Sequence, residues 1–329
     1  IETTQAAKNH SHYSTPLKGI NQGRGVASGF WINGSGAACA TANVNFDGTV
    51  NLTIGSMDIG GLRPVAAQHA SEVLGIPVEN INPQVGDTDT IGYTSNTGGS
   101  GVAFKSGWSA YEAAHDIIRQ LVDRCALIWD VPVVEIEYLD GTVRHKSDTE
   151  LSIGFSKLAS MLSDTGGPVV GRANLNPAGQ SGSYSANIID VEVDPETGKV
   201  DVLRYTAFMD VGTAVHPAYV EGQIQGGTVQ GIGWALNEEY VYDENGAMLN
   251  SSFLDYRMPT ALDVPMIDTV MIEVPNPKHP FGLRGVGEAP IIPPLSALAI
   301  AVSNAIGVRM HDLPLTPDAI LKALESKNA

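Results

Sequence analysis

The sequence contains few cysteines and few basic residues. Its 329 residues include 2 cysteines, Cys39 and Cys125, which form neither a C-x-x-C pair nor a zinc-type spacing. Two thiols are too few for an iron–sulfur cluster held by four thiolates or for a disulfide framework. We therefore expect two buried free thiols in a reducing compartment, the cytoplasm.

The excess of acidic residues excludes anionic macromolecules and anionic membrane surfaces as partners. Lys and Arg total 19 against 36 Asp and Glu, which gives a net charge of −17. Such a surface repels phosphodiester backbones and anionic lipid headgroups. We expect no nucleic acid and no membrane among the partners.

Long hydrophobic runs are also missing. The most apolar stretch, residues 289–308, is interrupted by Pro290, Pro293 and Pro294. Its remainder spans about 18 Å as a helix, which is shorter than a bilayer core. Residues 1–22 are polar and lack the basic and apolar regions of a secretory signal. The sequence is thus typical of a soluble protein.

Several catalytic motifs are absent. There is no G-x-G-x-x-G after a strand and no G-x-S-x-G elbow, and Phe104 stands where a phosphate-binding loop needs glycine before Lys105. His10 and His12 have no convergent partner ligands nearby in the sequence. We expect no metal ion with protein ligands.

What the sequence does contain is a regular alternation of hairpins and helices, which predicts mixed α/β sheets rather than a doubly wound parallel sheet. Hairpin turns are predicted at Asn33-Gly34, Asp47-Gly48 and Asp140-Gly141, and another hairpin at 238–249. Helices are predicted over residues 62–74, 106–129, 151–162, 218–236, 295–306 and 317–325.

A short motif that occurs twice in the sequence predicts two related subdomains. The segments SMDIG (56–60) and FMDVG (208–212) each follow a hairpin and precede a helix, although a match of this length also arises by chance. Residues 163–185 are rich in Gly, Pro, Ser and Asn and are the expected boundary or a long functional loop. The predicted organisation is an extension at 1–22, a first subdomain at 23–165 and a second at 166–329.

Three clusters are candidate sites, each with a structural alternative. Thr97, Gly98, Gly99 and Ser100, the TGGS loop, precede a long helix, so bare N–H groups and hydroxyls there would cradle an anion. The alternative is a flexible loop that only caps the helix.

The second cluster lies on the predicted helix 218–236. Gln223 and Gln230 are seven residues apart and share one face with Gly226 and Gly227, an arrangement that suits a polar heterocyclic ligand. Close helix packing on the glycines, with solvated glutamines, is the alternative.

The third cluster is GLRGVGEAP, residues 282–290. Gly285, Val286 and Gly287 allow close backbone approach just before Glu288, a lone carboxylate among apolar residues that could serve as a general base. Alternatively, Glu288 complements the dipole of the helix that follows.

Taken together, these segments resemble one family. The order GDTDT, TGGSG, VEVDPETGKV, MDVG, VEGQIQGGTVQGIGWAL, FLDYRMP and GVGEAP is similar to that of the molybdenum-cofactor subunit of xanthine dehydrogenases and aldehyde oxidoreductases, the molybdenum hydroxylases. The resemblance extends from about residue 23 to 323. It implies an elongated, mixed α/β domain that binds a molybdopterin dinucleotide, molybdopterin cytosine dinucleotide in most bacterial members.

The resemblance also implies roles for particular residues. Glu288 matches the family's catalytic glutamate, Gln223 matches a cofactor-contacting glutamine, and the TGGS loop matches a loop close to the metal and the pterin phosphate. We also expect Gly285, Val286 and Gly287, beside the glutamate, to bind the cofactor. The chain departs from the family at one point: many members have a glutamine between the positions of Ile59 and Gly60 or Gly61, where this chain has only small residues.

The length implies partners. The family's molybdenum subunit is commonly more than twice as long, so we expect a larger molybdenum subunit with the first half of the cofactor domain, an FAD subunit and a subunit with 2Fe–2S clusters. This split arrangement resembles that of nicotinate dehydrogenases. It implies hydroxylation of an N-heteroaromatic substrate, nicotinate to 6-hydroxynicotinate, with water as the oxygen donor and NAD(P) as the acceptor. The alternatives are a purine, aldehyde or quinoline substrate, or a role as a non-catalytic scaffold that completes the partner molybdenum chain.

Overall fold

The computed structural model describes residues 1–178 and 181–328. Two residues of the expected boundary segment, 179 and 180, lie outside this description. The helices are α1 (Glu2–Asn9), α2 (Ser11–Ser14), α3 (Leu62–Leu74), α4 (Val102–Trp129), α5 (Phe155–Ala159), α6 (Pro217–Leu236), α7 (Ile292–Ile306) and α8 (Pro317–Asn328). The strands are β1 (Gln22–Ile32), β2 (Ala38–Val44), β3 (Val50–Ile54), β4 (Ile81–Val85), β5 (Ile136–Leu139), β6 (Thr142–His145), β7 (Ser152–Gly154), β8 (Val170–Leu175), β9 (Gly182–Val193), β10 (Val200–Asp210) and β11 (Ile267–Ile272).

The chain divides into two compact units that are discontinuous in sequence. Unit 1 contains residues 1–32, 181–275 and the chain from Val286 onward, and unit 2 contains residues 33–178 and 276–285. The expected ranges 23–165 and 166–329 are continuous and so differ from these units. The reason is strand pairing, because β1 joins the sheet of β9 over a separation of more than 150 residues.

Both units contain a four-stranded mixed sheet with the same topology. In unit 2 the order is β4-β3-β2-β8, and in unit 1 it is β11-β10-β9-β1. In each sheet an antiparallel hairpin leads through a helix, α3 or α6, to a parallel strand, and a fourth strand pairs antiparallel on the other side. The expected mixed α/β fold of two related subdomains is confirmed.

The aspartates of the repeated motif, Asp58 and Asp210, occupy equivalent places in the two units. After β3, the Asp58 carboxylate accepts hydrogen bonds from the backbone N–H groups of Gly60, Gly61 and Leu62 and pairs with Arg63. Burial opposes ionisation, but the Arg63 and backbone donors outweigh it and hold the pKa of Asp58 well below its ordinary value. At the end of β10, Asp210 accepts a hydrogen bond from the N–H of Gly212 in the turn that follows, and another from the N–H of Val274 after β11. Each aspartate therefore fixes a strand-to-helix turn.

The N-terminal segment is part of unit 1. The fully buried His12 ring places Nδ1 2.8 Å from Thr206 Oγ1 and Nε2 3.1 Å from Asp190. Arg24 donates twice to the same Asp190 carboxylate, at 2.7 and 2.8 Å. The expected extension is thus tied to the sheet by a buried polar network.

Besides the turn at Asn33-Gly34, which is described with the candidate site, three local predictions differ from the structure. The helix predicted from residue 106 begins at Val102, because Gly101 ends the preceding turn. Residues 151–162, predicted as one helix, form β7 and the short α5, because residues 152–154 extend the sheet of β5 and β6. The hairpin predicted at 238–249 contains a single bridge, Tyr242 to Met248.

One apolar segment, residues 289–306, meets the length and composition of a membrane span. It combines a 3-10 turn with α7, and its residues Ala297, Leu298, Ala301 and Val302 are completely buried. They belong to the hydrophobic core of unit 1. Residues 289–306 therefore form a core helix of unit 1 that begins with a 3-10 turn.

Candidate functional site

The TGGS loop forms a tight turn at the start of α4 in unit 2. Thr97 and Gly98 are exposed, whereas Gly99 and Ser100 have positive φ angles of 60° and 54°. The N–H of Gly101 donates to the Gly98 carbonyl at 3.2 Å. No side chain caps α4, and its first turn contains no acidic residue. The first N–H groups of α4 therefore have no side-chain cap, and the glycines of the loop before them leave the neighbouring backbone uncovered.

A buried lysine lies under this loop. Lys105, only 1% exposed, donates from Nζ to the carbonyls of Ser95 and Asn96 at 2.7 and 2.9 Å. Burial lowers the pKa of its ammonium group. The Ser95 carbonyl shares its peptide unit with the N–H of Asn96, and the Asn96 carbonyl shares its unit with the N–H of Thr97. Because peptide units are planar and trans, both N–H groups point away from Lys105. Sequence reasoning considered Lys105 only as part of an incomplete phosphate-loop motif, and it did not predict that the ammonium group binds the carbonyls that precede the TGGS loop.

The Asn33-Gly34 pair is not the predicted hairpin turn, because β1 and β2 belong to different sheets. Instead, the buried Asn33 carboxamide binds both backbone groups of Gly285. It accepts from the N–H at 3.1 Å and donates to the carbonyl at 3.3 Å. Gly34 donates its N–H to the carbonyl of Gly99. This pair therefore brings two predicted segments together within unit 2, the TGGS loop and the beginning of GVGE.

The glycines of GVGE have different environments. A Cβ on Gly285 would collide with the backbone carbonyl of Ser100, so this glycine is required for close approach. Val286 is half-buried and packs on the core of unit 1, whereas Gly287 is exposed. Glu288 follows, half-buried, at the start of the 3-10 turn that leads into α7.

The Glu288 carboxylate contacts a tryptophan. Trp31 Nε1 donates to Glu288 Oε2 at 3.0 Å, and both residues belong to unit 1. Glu288 makes no side-chain capping hydrogen bond to the turn that it begins. Sequence reasoning missed Trp31, because the two residues are 257 positions apart.

Helix α6 has one packed and one open glycine face. A Cβ on Gly227 would lie 2.9 Å from Pro290 Cβ, and one on Gly231 would lie 2.7 Å from Pro294 Cγ. Close packing therefore explains these two glycines. It also places the helix against the residues that follow Glu288.

The other face of α6 is bare. A Cβ on Gly222 or Gly226 would meet no atom within 4 Å. Gln223, half-buried, and Gln230, exposed, lie at i,i+3 and i,i+4 spacing from both Gly226 and Gly227, so they border this open face. This face has both features of the predicted cradle, amide side chains and uncovered backbone.

Unit 2 also contains a buried histidine pair that the sequence did not predict. His69 and His279 have ring centroids 5.5 Å apart, and His279 packs on Phe104 and Trp108. Burial lowers the pKa of His69 to about 4. Burial, together with the neighbouring His69, lowers the pKa of His279 to about 3. Both rings are therefore neutral near pH 7, and they anchor residues 276–285 to α4.

Metal ligation by side chains has no candidate in the described part of the chain. Residues 1–178 and 181–328 bring together no group of three or more His, Cys, Asp or Glu side chains suited to a metal ion.

Several known proteins are similar to this chain in sequence or in fold. The crystal structure of a Cu,Mo-CO dehydrogenase matches 99% of this chain and 43% of its own, with a TM-score of 0.84 and 25% identity. The nicotine 6-hydroxylase large subunit of Paenarthrobacter nicotinovorans is 32% identical over 86% of this chain and 36% of its own length. A putative xanthine dehydrogenase molybdenum-binding subunit of Escherichia coli K12 is 29% identical over 91% and 41%.

Residues 2–265 match the family of molybdopterin cofactor-binding domains, and the chain belongs to that family. The resemblance to molybdenum hydroxylases seen in the sequence is thereby confirmed. The chain spans about two fifths of the length of the relatives that it matches.

Proposed function

We propose that this chain is the part of a molybdenum hydroxylase that binds the cofactor and supplies its general base, Glu288. The observation that carries the proposal is the Glu288 carboxylate, which follows the GVG segment and binds the Trp31 indole instead of capping its own helix turn. A carboxylate in such a setting is a suitable proton acceptor.

The residues present fit a molybdopterin dinucleotide. The TGGS loop and the uncapped start of α4 offer N–H donors for an anionic group. Gln223 lies beside Gly226 on a helix face with room for a ligand. We propose that these residues, together with Gly285, Val286 and Gly287, hold the cofactor as molybdopterin cytosine dinucleotide. When bound, the cofactor supplies a two-electron acceptor.

In the proposed reaction, Glu288 accepts a proton from the water-derived oxygen that forms a bond to an electron-poor ring carbon. The C–H bond at that carbon breaks, and its hydrogen and two electrons would pass to the acceptor that the bound cofactor supplies. The proposed substrate class is the N-heteroaromatics, with nicotinate as the first candidate. The name of one relative, nicotine 6-hydroxylase, supports this choice, because nicotine contains the same pyridine ring. Purines and carbon monoxide are the substrates named for other relatives.

Partner subunits are part of the proposal. The segment 237–266, which we call the arm, contains no helix or strand and exposes Phe253, Leu254, Leu262 and Met266 by 84% or more. An apolar surface of this kind is typical of an interface. We propose that the remaining half of the molybdenum subunit covers it, and that 2Fe–2S and FAD subunits pass electrons to NAD(P) in the cytoplasm.

The test is a substrate panel on the natively purified complex. Nicotinate, quinoline, xanthine, an aldehyde and carbon monoxide are each supplied with a dye acceptor in ¹⁸O-labelled water, and molybdenum and released CMP are measured. We expect nicotinate to be fastest, with ¹⁸O in its product, and about one CMP for each molybdenum. A complex without molybdenum, or a product without ¹⁸O, would contradict the proposal.

A further inference from the structure

The hydrogen bond from Trp31 to Glu288 carries an inference beyond the assignment of the base. We infer that Trp31 is a positioning residue, whose indole N–H holds the Glu288 carboxylate in the orientation in which it accepts the proton. This inference rests on the proposed function, in which Glu288 is the base.

The donor is held by the sheet. Trp31 is the penultimate residue of β1 and pairs with Ser183 of β9 in an antiparallel ladder. Its half-buried ring packs against the core of unit 1. A tryptophan side chain has only two torsions, so a ring packed in this way places its N–H group at a defined point.

The backbone of the acceptor is held as well. Ala289 is completely buried, and Ser185 Oγ donates to its carbonyl at 3.4 Å. Pro290 packs on Gly227 of α6. The main chain is therefore held on the C-terminal side of Glu288, and the Trp31 hydrogen bond restricts the side-chain torsions of the glutamate.

The chemistry of the donor suits this role. An indole N–H only donates, so Trp31 cannot compete with Glu288 as a base. Hydrogen bonds to ionised carboxylates are shorter and about twice as strong as neutral ones. Trp31 therefore orients one carboxylate oxygen without taking up the proton itself.

The first variants remove the donor but keep the aromatic ring. In W31F, and in the isosteric replacement of Trp31 by 3-benzothienylalanine, the N–H is lost while the core contact remains. We expect kcat of the reconstituted complex to fall about 10- to 100-fold, as for other small misplacements of reacting groups. KM for nicotinate, molybdenum content and Tm stay near wild type.

The matched control is W108F. Trp108 Nε1 donates to Glu112 Oε1 at 3.3 Å on α4, so this variant loses the same kind of hydrogen bond away from Glu288. We expect its kcat to be unchanged. An equal loss in W108F would show that the effect of W31F is not specific.

A double-mutant cycle separates positioning from general damage. If Trp31 acts through Glu288, W31F lowers kcat in the wild-type background but not in E288Q. A structure of the W31F complex provides a second readout, a displaced Glu288 carboxylate. Unchanged kcat in the benzothienyl variant, equal losses in both backgrounds, or an unmoved carboxylate would each overturn the inference. If E288Q itself keeps full activity, the proposed function fails instead.

Discussion

The open face of α6 provides a test in which stability and function change in opposite directions. In G226A, the new methyl group meets no atom within 4 Å, so it adds no strain. Alanine is favoured over glycine in a helix interior by about 0.5–1 kcal/mol, so the free energy of unfolding rises by about that amount. If a cofactor lies on this face, the same methyl group overpacks it at about 1–3 kcal/mol. That penalty weakens cofactor retention about 5- to 150-fold.

The assay is thermal unfolding together with molybdenum analysis of the purified complex. We expect G226A to have a higher Tm and less molybdenum than wild type. The control is G227A on the packed face, where Cβ would lie 2.9 Å from Pro290 Cβ, so that Tm falls. A stabilised G226A complex with full molybdenum and full activity would refute the assignment of this face to the cofactor.

Two further predictions concern unit 2. Unfolded histidine binds a proton near pH 6.5, but folded His69 does so only near pH 4. The unfolded state is therefore favoured as the pH falls below 6.5, and at pH 5 the cost from His69 is about 2 kcal/mol. Tm measured from pH 7 to 5 should fall less in H69Q than in wild type, and equal slopes would contradict this reasoning. In N33A the Gly285 N–H loses its acceptor, so hydrogen exchange in residues 276–290 rises. The control variant N45A, which removes the asparagine side chain directly after β2, should leave that exchange unchanged. A protected segment in N33A would contradict the role of Asn33 in holding Gly285.

Local sequence patterns were sufficient for several elements. Apolar spacing and a terminal glycine predicted α3 with the bounds that the structure has, residues 62–74. Asp47-Gly48 predicted the β2–β3 hairpin, and Gly48 has a φ of 84° there. In both cases the determining interactions lie within a few residues, so the pattern contains the needed information.

Contacts between distant segments were not predictable in this way. Asn33-Gly34 has the composition of a hairpin turn, but β1 pairs with β9, and Asn33 binds Gly285 across 252 residues. The side-chain contact of Glu288 with Trp31 is equally remote. Single-sequence periodicity shows which face of a strand is buried, but it does not show which distant strand will cover it.

The most direct test of the account is the turnover of E288Q in the reconstituted complex, measured together with its molybdenum content. Glutamine keeps the size of the side chain and can still accept from Trp31, but it cannot take up the proton. We expect full molybdenum and a kcat lower by about 10²- to 10⁴-fold, the usual contribution of a general base, which is about 3–5 kcal/mol of barrier. Near-normal turnover at full molybdenum occupancy would contradict the role of Glu288 as the base.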